Sequence, residues 1–268
     1  RVLSIYKKTL GPEHPDVALI FNNLGSIHEM QRNYSQAERL YKEALVIREK
    51  TLGTEHKDVA HSLRSLALLY QEKKEYIQAE QLLKRVLSIY KKTLGPEHPV
   101  VASILNDLGI NHREQRNYSQ AEQLYQQAIT IAEKTLGPEH PSVADYLNNL
   151  AVVFDFQKKY MQAELLHQRA LTIHTTILGP EHPDIVTNLN NLALVYEKQE
   201  KYDQAQSLYR QALSICDQML ERDHPDRTKV IEDYTNFLQK TMRKAEKEQL
   251  EAQAKLKRVK ARRAKSHN

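Results

Sequence analysis

RVLSIYKKTLGPEHP occupies residues 1–15 and returns unchanged at 85–99, and QRNYSQAE stands at 31–38 and again at 115–122. Leu-Gly marks the same period throughout, at Leu10-Gly11, Leu52-Gly53, Leu94-Gly95, Leu136-Gly137 and Leu178-Gly179, 42 residues apart each time. Leu220 keeps the register, with Glu221 in the Gly place. The chain therefore divides into 1–10, the end of a truncated repeat; 11–220, five 42-residue repeats; and 221–268, a divergent last repeat with a basic C-terminal capping helix. A fixed period of this size is the signature of stacked supersecondary units.

Each unit reads as two helices. In the first, Pro15 suits the opening helical position, where its missing N–H costs nothing, and Asp16 favours the positive helix start. Val17, Ile20, Phe21, Leu24 and Ile27 then follow the spacing of one helical face. Gln31, Arg32 and Asn33 make a turn. A second helix runs from about Tyr34, striped by Ala37, Leu40, Tyr41, Ala44, Leu45 and Ile47, to a Gly53 cap. No stretch shows sustained two-residue alternation, so the expected fold is all-α, with essentially no β-structure. A single helix pair cannot bury both its faces, so the pairs should stack into a right-handed superhelical solenoid. The equivalents Ala37, Ala79, Ala121, Ala163 and Ala205, and likewise Gly25, Ala67, Gly109, Ala151 and Ala193, let neighbouring helices approach closely. Helical Gly costs roughly 1 kcal/mol against Ala, and close packing is the explanation taken for Gly25 and Gly109.

The pattern Leu24-Gly25, His28, Ala37, Tyr41 and Ala44 resembles the tetratricopeptide repeat. The 42-residue period, LNNLALVY at 189–196, and the HPDVA, KYxQAE and LGPEHP elements are similar to the kinesin-light-chain type of that repeat, found also in bacterial repeat proteins. The second unit departs with Lys57 for Pro and Arg64-Ser65 for Asn-Asn, and nothing resembles the heptad segment that joins kinesin light chains to a motor. The resemblance implies helix-turn-helix repeats whose first helices line a concave groove, with Asn residues there contacting peptide ligands.

Composition excludes other classes. With 7 Gly, 9 Pro and 1 Cys among 268 residues, the chain is not collagen-like, Pro/Gly-disordered or disulfide-built. One Cys points to a reducing, cytoplasmic setting. The longest apolar runs, such as Leu192–Tyr196, fall far short of the roughly 18 residues of a membrane span. The chain opens at Arg1 without Met, as a piece of something longer would.

His14, His56, His98, His140, His182 and His224 recur at the 42 spacing, but equivalent atoms two helix spacings apart, ~16–20 Å, cannot share a zinc ion bonded at ~2.0–2.1 Å. They read as builders of the Glu-His-Pro connector, and neither a metal nor any other cofactor is expected. No phosphate-cradling Gly loop, nucleophile elbow or Cys/His pair in a recognisable context is present. Cys216, equivalent to Arg48, Tyr90, Ala132 and His174, reads as a peripheral thiol, and the chain as no enzyme.

The asparagine pairs on the first helices flank the apolar stripe: Asn22-Asn23, Asn106-Asp107, Asn148-Asn149 and Asn190-Asn191. Asn is a mediocre helix former, so propensity does not explain the repetition. One member of each pair should bond within the solenoid and the other face the groove, its amide able to donate and accept toward a peptide backbone. The same register adds Ser26, Glu29, His61, Arg64, Leu68, Arg113, Glu114, Val152, Phe156, Leu194 and Lys198. Three widely spaced cations do not make a carboxylate clamp, and an extended peptide of alternating small apolar and acidic residues fits the mixed charge.

From Lys240 onward 11 Lys/Arg face three Glu, a balance of +8, so with +5 overall the rest of the chain carries −3. Leu238, Ala245, Ala252, Leu256 and Val259 keep a helical stripe without interleaved aromatics, which favours a capping helix over nucleic-acid or anionic-surface binding. The expected role is a non-catalytic scaffold for a protein or peptide partner; the alternatives are the basic tail as an anion binder, or a structural spacer array. The end cut at Arg1 would expose apolar surface and favour end-to-end self-association.

Overall fold

The computed structural model describes residues 8–219, 224–242 and 244–245. Residues 1–7 of the truncated repeat, with the Arg1 end, residues 220–223, and nearly all of the basic tail lie outside the described residues. The helices are α1 (Pro15–Met30), α2 (Tyr34–Leu52), α3 (Lys57–Glu72), α4 (Tyr76–Leu94), α5 (Pro99–Glu114), α6 (Tyr118–Leu136), α7 (Pro141–Phe156), α8 (Tyr160–Leu178), α9 (Ile185–Lys198), α10 (Tyr202–Met219) and α11 (225–242). No strand occurs among the described residues. The fold is an all-α solenoid of helix-turn-helix repeats. It falls into two compact units, one ending at Lys158 and one beginning at Lys159.

The recurrent histidines start the first helices. His14, His56, His98 and His140 stand at the N-cap in extended conformation, and each Nδ1 accepts the backbone N–H two residues on at 3.2 Å. That is the work a Ser or Asp side chain ordinarily does at a helix start. His182 makes the same bond, yet α9 begins only at Ile185, and Val186 N–H donates to Pro183 O in a tighter first turn. The connector glycines all have positive φ, between 82° and 96°.

A second set of positive φ values was not signalled by any glycine. Arg32, Lys74, Arg116, Lys158 and Glu200 lie at 59–61° in the turn between the two helices of a unit. Arg32 N–H donates to Glu29 O and Asn33 N–H to His28 O, both at 2.8 Å, the paired bonds that close a helix end on a left-handed residue. These bonds hold a side-chain-bearing residue where Gly would be easier. The second helices then start without a side-chain cap.

In the first unit the core runs between successive helix pairs, for example Val59, Leu63, Leu83, Val86, Ile89 and Ile104. The repeated alanines, from Ala37 to Ala205, are fully buried. A Cβ on Gly25 or Gly109 would lie 2.6 Å from the ring of Tyr41 or Tyr125 respectively. In the second unit Tyr209, Tyr234 and Phe237 pack their rings together beside Leu192, Ala193 and Ala205. The position of Cys216 corrects one expectation: it is not peripheral. Cys216 and Ala132 are fully buried and Arg48 and His174 nearly so. Chemistry varies there because each residue meets a different partner: Arg48 Nη1 donates to Asp58 O and Ser62 Oγ, and His174 Nδ1 meets Asn188 Nδ2. Burial pushes the Cys216 thiol up, which makes it a poor nucleophile.

Candidate functional site

The first helices α1, α3, α5 and α7 of the first unit carry the candidate groove residues, and their asparagine positions form a staggered ladder. Asn22 Nδ2 donates to Ser65 Oγ at 3.3 Å, Arg64 Nε to Asp107 Oδ2 at 2.7 Å, and Asn149 Nδ2 to Asn106 Oδ1 at 2.9 Å. Each rung joins the first residue of one pair to the second residue of the next, 43 positions on. In the second unit Asn190 Nδ2 donates to Asp233 Oδ2 at 2.7 Å, again 43 positions on.

Burial differs along the ladder. Asn22, Asp107 and Asn190 are buried; Arg64, Asn106, Asn148, Asn149 and Asn191 are half-buried, and Asn23 is exposed. Asn22 also accepts from Ser62 Oγ and lies 3.2 Å from His61 Nδ1. Burial pushes His61 down, helped by the nearby Arg48 charge, so this neutral imidazole can accept the amide proton. Burial pushes the Asp107 carboxyl up, against the pull of Arg64.

C-terminal to the ladder, the same face opens into a cavity of about 580 Å³. Leu68 and Ile110 supply its apolar wall, Glu29, Glu72 and Glu114 its carboxylates, and Lys74 and Arg113 its cations. Arg113 is tied down: Nη1 donates to Asn149 Oδ1 at 3.3 Å and Nη2 to Glu114 Oε1 at 2.9 Å. Glu29 accepts from Tyr41 Oη at 2.5 Å. The Tyr76 phenol in the cavity wall is pushed up by burial and then by Glu114 and Glu72. Val152 continues the apolar line on α7, half-buried, and Phe156 beyond it is 56% exposed, stacked on Tyr118 at 5.4 Å between centroids. In the second unit Lys198 is exposed at the end of α9.

The groove register read from the sequence includes Glu29, Leu68, Arg113 and Glu114 of this cavity but not Ile110 on α5, nor Gln71, Glu72, Lys74 and Tyr76, which come from the end of α3, the turn and the start of α4. Among the described residues no group of three or more His, Cys, Asp or Glu is placed to hold a metal ion. No described helix is long and apolar enough to cross a membrane.

A family model described as tetratricopeptide repeat matches in five overlapping stretches, residues 1–50, 16–92, 58–134, 117–175 and 156–218. Among solved structures, BtubC (BKLC) from P. vanneervenii is similar at 26% identity and a TM-score of 0.68, over 79% of this chain and 84% of that one. A Podosopora anserina kinesin light chain protein of nearly identical TPR-like repeats is similar at 27% identity and a TM-score of 0.65, over 78% of this chain and 99% of that one. The apo form of RapI shares the fold at 17% identity and a TM-score of 0.65, over 84% of each chain. No curated protein matches.

Proposed function

This chain belongs to the tetratricopeptide repeat family, of the kinesin-light-chain type, and from that premise we propose that it is a non-catalytic scaffold that binds an extended peptide along its first helices. Repeats of this family mediate protein–protein interactions in general; the finer reading concerns where the peptide lies. The observation that carries it is the half-buried line of Leu68, Ile110 and Val152 beside a cavity of about 580 Å³, an apolar track with polar groups along both edges. Pockets of roughly 300–1,000 Å³ that combine apolar lining with a few fixed polar groups are the usual form of a binding site. On one edge the ladder amides, Asn149 above all, present half-buried donors and acceptors. On the other, Glu72 and Lys74 stand at the rim, and the exposed Phe156 ring extends the track.

A rigid scaffold limits the ordering cost of such binding to the peptide itself. The test is selection of peptides from a random display library on the whole chain, followed by titration. Selected peptides should lose at least about tenfold in affinity, ~1.4 kcal/mol, on Ile110→Ser and on the double change Arg113→Ala with Asn149→Ala. Failure to select any binder, or binders indifferent to both changes, would overturn the assignment.

A further inference from the structure

Three connectors of the first unit share an ion-pair clamp that the second unit lacks at the corresponding place. Lys50 Nζ reaches Glu13 at 2.5 Å, Lys134 Nζ reaches Glu97 at 2.6 Å, and Lys92 Nζ pairs with Glu55 in the same manner. In each case a lysine near the end of a second helix holds the Glu of the Glu-His connector that opens its own repeat. In the fifth repeat the connector glutamate is Glu181, and the lysine place, 42 residues on from Thr176 and 84 from Lys134, is filled by Gln218. Glu181 is exposed and has no hydrogen bond or ion pair among the described residues.

The vacated position is not filled by neighbouring atoms. Glu181 and Gln218 both line a cavity of about 350 Å³, whose floor is Leu171, Ile185, Leu189 and Ile215. Gln211 and Ser214 add polar atoms at its lip. The helix start beside it is also altered, since α9 begins at Ile185 where the others begin at the position of Pro183. The volume is at the small end of ligand sites, roughly 300–1,000 Å³, which suits one long side chain rather than a larger molecule.

We propose that this cavity receives a lysine side chain from a partner protein, its ammonium against Glu181 and its methylene stem on the leucine–isoleucine floor. The molecule itself supplies the precedent, because the same connector carboxylate is matched by a lysine ammonium in three of its other repeats. A lysine stem buries apolar area while its head stays at the water boundary, and the cavity offers both environments. The site joins two second helices, a connector and the start of α9, and shares no lining residue with the cavity on α1, α3 and α5, so neither reading depends on the other.

The test is a methyl NMR titration of the whole chain, with Leu and Ile methyls labelled, against two short acetylated and amidated peptides that differ only in lysine versus norleucine. The lysine peptide should shift the Leu171, Ile185, Leu189 and Ile215 methyls with an affinity about tenfold above that of its norleucine twin. Glu181→Gln should erase that difference. Gln218→Lys, which restores the internal clamp, should block binding, and methyls distant from the cavity report that each variant stays folded. Equal binding of the two peptides, binding that survives both substitutions, or no shift at millimolar peptide would overturn the proposal.

Discussion

A single methyl group added at Gly109 tests how closely the helices of a repeat approach. The Cβ of Gly109→Ala would lie 2.6, 2.8 and 2.9 Å from Cε1, Cδ1 and Cζ of Tyr125, well inside the ~3.5–4.0 Å at which carbon atoms attract. Tyr125 is fully buried, so its ring has no solvent to swing into. Two effects oppose each other. Helix propensity alone favours Ala over Gly by about 1 kcal/mol, whereas overpacking a filled core costs about 1–3 kcal/mol. The net expectation is a loss of about 1 kcal/mol, despite a substitution that normally stabilises helices. The equivalent residues of the second repeat are Ala67 and Leu83, both fully buried in one core cluster. Gly109→Ala combined with Tyr125→Leu should therefore show a favourable coupling of about 1–3 kcal/mol. The fifth repeat sharpens the point: it keeps Ala193 and Tyr209, and there the ring is stacked on Tyr234 at 5.3 Å and tilted against Phe237 at 5.5 Å. Urea unfolding by circular dichroism gives the differences, with hydrogen exchange of α5 and α6 amides to localise them, because repeat proteins need not unfold in one step. A Gly109→Ala protein stabilised by about 1 kcal/mol, with no coupling to Tyr125, would refute the packing argument and leave propensity in charge.

Two further outcomes follow from buried titratable groups. Burial, aided by the Lys198 charge, pushes His167 down to about 4, so in the folded chain it stays neutral while an unfolded His, near 6.5, takes up a proton. Stability should thus fall as pH drops from about 6.5 toward 4 and level off below, by about 3 kcal/mol in all; His167→Tyr, which installs the residue found at Tyr41, Tyr125 and Tyr209, should flatten that slope, and an unchanged slope in urea midpoints would count against it. Arg64→Met leaves the Asp107 carboxylate buried without its cation, which for a fully buried pair costs about 3–5 kcal/mol and, with Arg64 one-third exposed, should cost about 2 kcal/mol here. Because the buried carboxyl is already pushed up, the loss should be larger at pH 8 than at pH 5, where Asp107 can take the proton instead; denaturation at the two values giving equal losses would exclude this account.

How much of this was readable in the sequence depends on whether a feature is local or shared between repeats. Helix limits were readable because each is written in one place, Pro15 at the first turn and Gly53 past the last; His14 was legible only as part of the connector, not as the N-cap that accepts from Asp16 N–H. The turn at 31–33 was readable too, but the left-handed conformation of Arg32 was not, because it is held by backbone N–H bonds to the Glu29 and His28 carbonyls rather than by Gly. The buried position of Cys216 was misread because variety in residue type among its equivalents looked like exposure, when it reflected different buried partners. The asparagines show why the period itself misleads. A repeat of 42 identifies which residues are equivalent, but the ladder does not join equivalents; its rungs run from one position to that position plus 43. Taken at that offset, the departures from Asn cease to be separate substitutions. Arg64 and Asp107 replace two asparagines on one rung with opposite charges, and Asp233 stands where an acceptor for Asn190 is needed. The contact vector was therefore present in the sequence, as complementary exceptions one residue out of phase with the repeat, and the same comparison of exceptions is what exposes Gln218 as a missing lysine beside Glu181.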